Sequence, residues 1–246
     1  MEFKKEGQIA LITFKGSTCS ENPFSLVAND FGDACSEIAS DETLRVLVIL
    51  GQGENAFRAV ETGHEPCETP STPKVAQVAG SLDIPVLIGM DGHVLGQGLE
   101  LALASDIRIA TPESYFGFHE INAGLIPSQG GTQRLPRLVG KAKALEMILT
   151  GEVVDAYAGQ QIGLVHRILK RDDLASGTMA LAREMATKSP TSLRYTKEAI
   201  NKGMDLTLEQ GLRLEADLYY LIHTTQDRVE GITAYREKRK PEFTGG

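Results

Sequence analysis

The sequence has no tryptophan and few aromatic residues, and its few cysteines and lack of long apolar runs each exclude a class of protein. The chain of 246 residues has three cysteines, which are widely spaced and form no Cys-x-x-Cys pair. This usage argues against a disulfide framework and is typical of a reducing compartment. The longest apolar runs have only the length of a strand, and no apolar signal region follows the N-terminus. We therefore expect a cytoplasmic protein that does not enter a membrane.

Charge and motif spacing exclude further functions. The net charge of −8 comes without a basic stripe, so nucleic acid is not expected as a partner. The five histidines show no ligand spacing, so we predict no metal site. The segment Gly96-Gln-Gly-Leu-Glu-Leu has Leu101 where a dinucleotide fingerprint has its third glycine, and no G-x-S-x-G nucleophile elbow is present.

Apolar periodicity predicts an α/β fold. Apolar strands near residues 9, 46, 86 and 107 alternate with helical patterns, and the stretch 44–50 is apolar enough for a strand covered on both faces. From residue 174 onward, only helical spacing remains. This shift in pattern predicts a core over residues 1–185 and a helical segment over residues 186–246.

The stretch from Val86 to Arg134 is the candidate site. An apolar strand, Val86 to Met90, leads into a glycine-rich turn, and a helix is predicted from Leu99. Because the first N–H groups of a helix lack intrahelical acceptors, its start is suited to developing negative charge.

Two carboxylates flank this helix start. Glu100 lies in the predicted first turn, and Glu120 follows a short predicted strand, Ser114 to Phe118. A glutamate in a first turn is often only a surface partner of the helix dipole. Here the helix is almost wholly apolar and should be buried, which favours a functional Glu100 that faces Glu120 across a cleft.

Several stretches together resemble the crotonase superfamily, and within it enoyl-CoA hydratase. The resemblance covers nearly the whole chain and rests chiefly on four motifs. They are Gly92-His-Val-Leu-Gly-Gln-Gly-Leu-Glu-Leu, Phe116-Gly-Phe-His-Glu-Ile, Gly124-Leu-Ile-Pro-Ser-Gln-Gly-Gly-Thr-Gln-Arg-Leu and Asp227-Arg-Val-Glu-Gly-Ile-Thr-Ala-Tyr-Arg-Glu-Lys-Arg-Lys-Pro-Glu-Phe.

The resemblance implies a spiral of ββα units followed by an all-helical C-terminal oligomerisation segment. It implies a homotrimer, or two stacked trimers as a homohexamer. It also implies that Tyr235 and Lys238 approach the coenzyme A part of an acyl-CoA thioester, from a neighbouring subunit. Coenzyme A belongs to the substrate, so no separate cofactor is expected.

The resemblance further implies the chemistry of a hydro-lyase, which adds water across the 2,3 double bond of a 2-enoyl-CoA to give 3-hydroxyacyl-CoA. The backbone N–H groups of Gln97 and Glu61 match the two donors of the oxyanion hole. Glu100 and Glu120 match the carboxylates that activate water and deliver a proton to the α-carbon. Isomerases of the superfamily commonly keep only the second glutamate, so the presence of both favours a hydratase.

Departures from the family pattern leave alternatives open. Val60-Glu61-Thr62 replaces a small-residue segment, and Gln97 replaces a usual glycine. A carboxylate at Glu61 would repel an enolate unless it points away. Other superfamily reactions on an acyl thioester, such as isomerisation, decarboxylation or C–C hydrolysis, therefore remain alternatives, as does a weakly active scaffold.

Overall fold

The computed structural model describes residues 1–16, 23–59 and 74–246. Its strands are β1 (Glu2–Glu6), β2 (Ile9–Lys15), β3 (Val46–Gln52), β4 (Phe57–Arg58), β5 (Val86–Met90), β6 (His93–Leu95), β7 (Ile107–Ala110), β8 (Tyr115–Gly117), β9 (Val154–Asp155) and β10 (Arg167–Ile168). Its helices are α1 (Pro23–Ser40), α2 (Val75–Gly80), α3 (Gln97–Ala104), α4 (Gly131–Val139), α5 (Lys141–Thr150), α6 (Ala156–Gln161), α7 (Arg171–Ala186), α8 (Pro190–Gly203), α9 (Leu208–Ile222) and α10 (Gln226–Glu237). A short 3₁₀ helix spans Glu120–Ala123.

The described strands form two separate sheets. The larger sheet has the order β1-β2-β3-β5-β7-β10, and the smaller has the order β4-β6-β8-β9. Strands β3, β5 and β7 run parallel in the first sheet, and β4, β6 and β8 run parallel in the second. The pairs β3 and β4, β5 and β6, and β7 and β8 each place one strand in each sheet before a helical segment follows. This repetition is the predicted spiral of ββα units.

Both faces of β3, in the larger sheet, are covered, as the apolar stretch 44–50 predicted. Val46, Val48 and Leu50 of β3 pack in a cluster with residues of α7. Leu47 and Ile49 face the opposite side and belong to the main core. Alternate side chains of one strand are therefore buried on opposite faces, which explains its nearly continuous apolar sequence.

The chain passes from one sheet to the other at a glycine corner after β5. Gly92 has a φ of 70°, which favours glycine. A β-carbon there would also lie 2.5 Å from the Cα of Glu54. The main chain of His93 then donates to the carbonyl oxygen of Glu54 at 2.8 Å. This corner directs the chain toward β6 and the candidate site.

The C-terminal helices are anchored to the core through a largely buried ion pair. Nζ of Lys197, on α8, lies 2.8 Å from Oδ2 of Asp106, and the two side chains are 10% and 26% exposed. The same Nζ donates to the carbonyl oxygen of Ile84 at 2.8 Å. A single lysine thus joins α8 to the residues that precede β5 and β7.

Large apolar side chains remain exposed on α8, on the residue that follows it, and on α9 and α10. The exposed set comprises Ile200, Met204, Leu208, Leu212, Tyr219, Tyr220, Leu221, Val229, Ile232 and Tyr235. Over the ranges that the structure describes, every helix is too short or too polar to span a membrane.

Three details differ from the sequence predictions. The glycine-rich turn after β5 contains a strand, β6, and α3 begins at Gln97 rather than at Leu99. Gly98 lies inside the helix, and only glycine fits there, because a β-carbon would be 1.9 Å from the carbonyl oxygen of Phe57. Close packing against β4 outweighs the low helix propensity of glycine. Helices α2 and α4 and strand β1 are additional elements that the sequence did not predict.

Candidate active site

The start of α3 is held tightly between the two neighbouring strands of the smaller sheet. Gly96 precedes the helix with a φ of 58°, and its N–H donates to the carbonyl oxygen of Gly117 at 3.2 Å. On the other side, the close approach of Gly98 to Phe57 brings the first turn against β4. The main-chain geometry of this helix start is therefore fixed by its neighbours.

Glu100 is fully buried at the meeting point of two helices. Its Oε1 accepts hydrogen bonds from the main-chain N–H groups of Gln129, at 2.7 Å, and Gly131, at 2.8 Å. Gly131 is the first residue of α4, so the carboxylate sits at the N-terminus of that helix. Both the N–H donors and the helix dipole stabilise negative charge on Glu100.

Glu120 approaches the same helix start from the smaller sheet. It is 4% exposed and opens the 3₁₀ helix that follows β8. A β-carbon at Gly96 would lie 3.0 Å from Oε1 of Glu120, and the N–H of Glu100 donates to the carbonyl oxygen of Gly96 at 3.0 Å. The carboxyl group of Glu120 therefore lies beside Gly96, which precedes α3, and Glu100 lies four residues further along, in the first turn of that helix.

The two residues predicted as oxyanion-hole donors have different outcomes. Gln97 is the first residue of α3 and is 3% exposed, so its main chain lies within the same buried region. Glu61 lies outside the described residues. Before it, the described chain ends at Ala59, whose carbonyl oxygen would be 2.6 Å from a β-carbon at Gly96.

The residues predicted to contact coenzyme A lie on the C-terminal helix. Tyr235 belongs to α10 and is 86% exposed. Lys238 ends that helix with a φ of 55°. Because most of its surface is exposed, Tyr235 contributes little to the hydrophobic core of its own chain.

A histidine with a lowered pKa precedes Glu120. Burial, together with the positive charges of Arg58 and His93, lowers the pKa of His119. The imidazole is therefore mainly neutral at pH 7. His119 was not predicted as a site residue.

The segment that holds Glu100 was also missed. Gln129, Gly130 and Gly131 were noted only as part of a family motif, although two of them donate main-chain hydrogen bonds to Glu100. The side chain of Gln129 also accepts from the main chain of Ala76, at the start of α2, at 3.1 Å. We call residues 129–131 the Glu100 clasp.

In the described part of the chain, no group of three or more His, Cys, Asp or Glu side chains is arranged to hold a metal ion.

Comparison with known proteins identifies the family. The family model described as enoyl-CoA hydratase/isomerase matches residues 4–246. A Bacillus subtilis protein, named provisionally as an enoyl-CoA hydratase/isomerase, is 36% identical over 250 residues, which cover 98% of this chain and 96% of that protein. The crotonyl-CoA hydratase of Syntrophomonas wolfei is 34% identical over 220 residues, which cover 86% of this chain and 85% of its own.

Solved structures give the same result for the fold. The crystal structure of enoyl-CoA hydratase from Bacillus anthracis matches with a TM-score of 0.89 and 29% identity, and the match covers 100% of this chain and 99% of that one. The match includes the C-terminal helices as well as the two sheets. The predicted α/β fold with a spiral core is therefore confirmed.

Proposed function

Because the chain is an enzyme that belongs to the enoyl-CoA hydratase/isomerase family, we propose that it is an enoyl-CoA hydratase. The observation that carries the proposal is the presence of two buried carboxyl side chains at one helix start: Glu120 lies beside Gly96, and Glu100 lies in the first turn of α3. Two carboxyl groups at one helix start provide the acid and base that hydration of a double bond requires.

The thioester carbonyl binds at the start of α3 in this proposal. Addition of water at the β-carbon places negative charge on the carbonyl oxygen. The main-chain N–H of Gln97 donates to that oxygen, and the main-chain N–H of Glu61 is the proposed second donor. One preorganised donor of this kind contributes roughly 3 to 4 kcal/mol to stabilisation of the transition state.

The two carboxyl groups act on the water and the α-carbon. The oxygen of the water forms the new bond at the β-carbon as the 2,3 π bond breaks. One proton of the water passes to the ionised carboxylate of the pair, and the protonated carboxyl group of the pair gives its proton to the α-carbon, so the pair as a whole keeps its charge. Glu100 and Glu120 hold the water between them and share these transfers. The rigid clasp on Glu100 limits its rotation, which supports this role because acid–base catalysis depends on orientation.

Coenzyme A is part of the substrate in this proposal, and no separate cofactor is involved. Tyr235 and Lys238 approach the coenzyme A part of the substrate from a neighbouring subunit. The many exposed apolar side chains of α8, α9 and α10 support assembly into a homotrimer or homohexamer, since large exposed apolar surface often marks a protein–protein interface. We retain the division at residues 185 and 186 between core and assembly segment, and a cytoplasmic location, as predictions.

The test is a product assay with crotonyl-CoA. Hydration removes the conjugated absorbance of the thioester and yields 3-hydroxybutyryl-CoA, which mass spectrometry detects as a gain of one water. Glu100→Gln and Glu120→Gln should each lower kcat by at least about 100-fold with little change in KM. A product of unchanged mass from a 3-enoyl-CoA would indicate isomerisation instead. Absence of turnover with enoyl-CoA esters of graded length would contradict the proposal.

A further inference from the structure

Arg134, in the first turn of α4, binds the Glu100 clasp through its side chain. Its Nη1 donates to the carbonyl oxygen of Gln129 at 2.8 Å. The N–H of the same Gln129 donates to Oε1 of Glu100 at 2.7 Å. One peptide segment therefore receives a hydrogen bond from the arginine and gives one to the glutamate.

The clasp is shaped around the guanidinium group. Gly130 has a φ of 109°, and a β-carbon there would lie 2.3 Å from Nη1 of Arg134. Any larger residue would therefore be strained and would also displace the guanidinium. On its far side, Nη2 of Arg134 would be 3.1 Å from a β-carbon at Gly80, at the end of α2. The side chain is thus enclosed between the clasp and α2.

Charge couples Arg134 to the glutamate as well. Burial lowers the pKa of Arg134, and the negative charge of Glu100 opposes that lowering. The guanidinium remains protonated at neutral pH, so its positive charge stabilises the carboxylate through the clasp.

We propose that Arg134 is a positioning residue for the reaction, which orients Glu100 by fixing the main chain of Gln129. The inference rests on the proposed role of Glu100. Without the guanidinium, the carbonyl oxygen of Gln129 loses its charged donor, and the main chain between the two N–H donors, Gln129 and Gly131, is held less tightly. The two N–H groups of the clasp then lose alignment with Oε1. Glu100 stays buried but no longer points at the water.

The expected effect is on kcat rather than on KM, because the contacts of Arg134 are with the clasp and α2 and not with the residues proposed to bind the thioester. Arg134→Met keeps the apolar stem and removes the guanidinium, so kcat should fall by about 10- to 100-fold with KM nearly unchanged. Arg134→Lys keeps the charge without the planar fork, and should recover part of this loss, leaving kcat about 3- to 10-fold below wild type. Arg137→Met is the matched control, because Arg137 lies one turn further along α4 and contacts Gln133 and Asp205 instead.

Amide hydrogen exchange gives a readout that does not depend on activity. The N–H groups of Gln129 and Gly131 should exchange faster in Arg134→Met than in wild type, and Arg137→Met should leave them unchanged. A role confined to global stability would accelerate exchange throughout the chain and leave the kcat of the folded fraction intact.

The outcomes separate the inference from the proposed function. If the wild-type enzyme hydrates crotonyl-CoA and Arg134→Met keeps both kcat and the exchange rates, the inference is overturned. If the wild-type enzyme lacks hydratase activity, the proposed function fails, and the exchange data still decide whether Arg134 fixes the clasp. Should Arg134→Met fail to fold, unchanged kcat and exchange in Arg134→Lys would overturn the inference.

Discussion

Substitution of Gly98 tests whether the geometry of the α3 start matters for turnover. Gly98 is a helical glycine with an ordinary backbone conformation, so alanine introduces no backbone strain. Its β-carbon, however, would lie 1.9 Å from the carbonyl oxygen of Phe57, whereas ordinary contact begins at 3.4 Å. Gly98→Ala must therefore separate α3 from β4 by about 1.5 Å.

That displacement sets the expected magnitude. Overpacking of this size costs about 1 to 3 kcal/mol of stability. For a chain of this length, each kcal/mol lowers Tm by roughly 2 to 4 °C, so a decrease of roughly 2 to 12 °C is expected. Because Gln97 and Glu100 move with the helix, kcat should fall by about 100-fold.

The assay is crotonyl-CoA hydration measured well below Tm, together with thermal unfolding. Gly203→Ala serves as the control, because a β-carbon there would meet no atom within 4 Å. It should leave both kcat and Tm close to wild type. If Gly98→Ala kept wild-type kcat and Tm, the reasoning about the helix start would be refuted.

Three other predictions concern the rest of the molecule. Lys197→Met leaves Asp106 without its charged partner and should cost about 2 to 3 kcal/mol, less than a fully buried pair because Asp106 is 26% exposed. Lys202→Met, which breaks an exposed pair, should cost at most about 0.5 kcal/mol, and equal losses of Tm would contradict this account. Burial lowers the pKa of His166 from its ordinary 6.5, so the unfolded chain binds this proton more readily and stability is lost as the pH falls below about 6.5. The Tm of wild type should therefore drop more between about pH 7 and pH 5 than that of His166→Asn, and parallel curves would count against it. Burial raises the pKa of Cys35 to about 12, so iodoacetamide should label it in urea but not in the native protein, as peptide mass spectrometry will show.

The elements that the sequence predicted well are those with a strong local pattern. Helix α5 has the predicted bounds, Lys141–Thr150, and β5 has the predicted bounds, Val86–Met90. In both, apolar spacing and glycine boundaries agree with the tertiary environment, so local rules were sufficient.

The elements that the sequence missed depend on distant contacts. Helix α4 contains Pro136, which removes one intrahelical donor, and it begins at two glycines. Its start is held by Glu100 and Arg134, neither of which a local pattern can indicate. Strand β6 is only three residues long and takes its partners from β4 and β8.

The residues of the candidate site also fall into those that the sequence could indicate and those that it could not. Glu100 and Glu120 can be nominated from sequence because carboxylates in an apolar setting stand out. The clasp could not be nominated, because its donors are main-chain N–H groups and any residue supplies one. Arg134 gave no local signal either, since its role arises only when α4 packs against α3.

The central claim is that Glu100 and Glu120 act together on one water molecule, and the kcat of Glu100→Gln, Glu120→Gln and the double variant tests it most directly. Groups that act as a unit are strongly non-additive, so the double variant should lose about as much crotonyl-CoA hydration as the worse single variant. A loss near the product of the two single effects, or near wild-type kcat in either single variant, would contradict the claim.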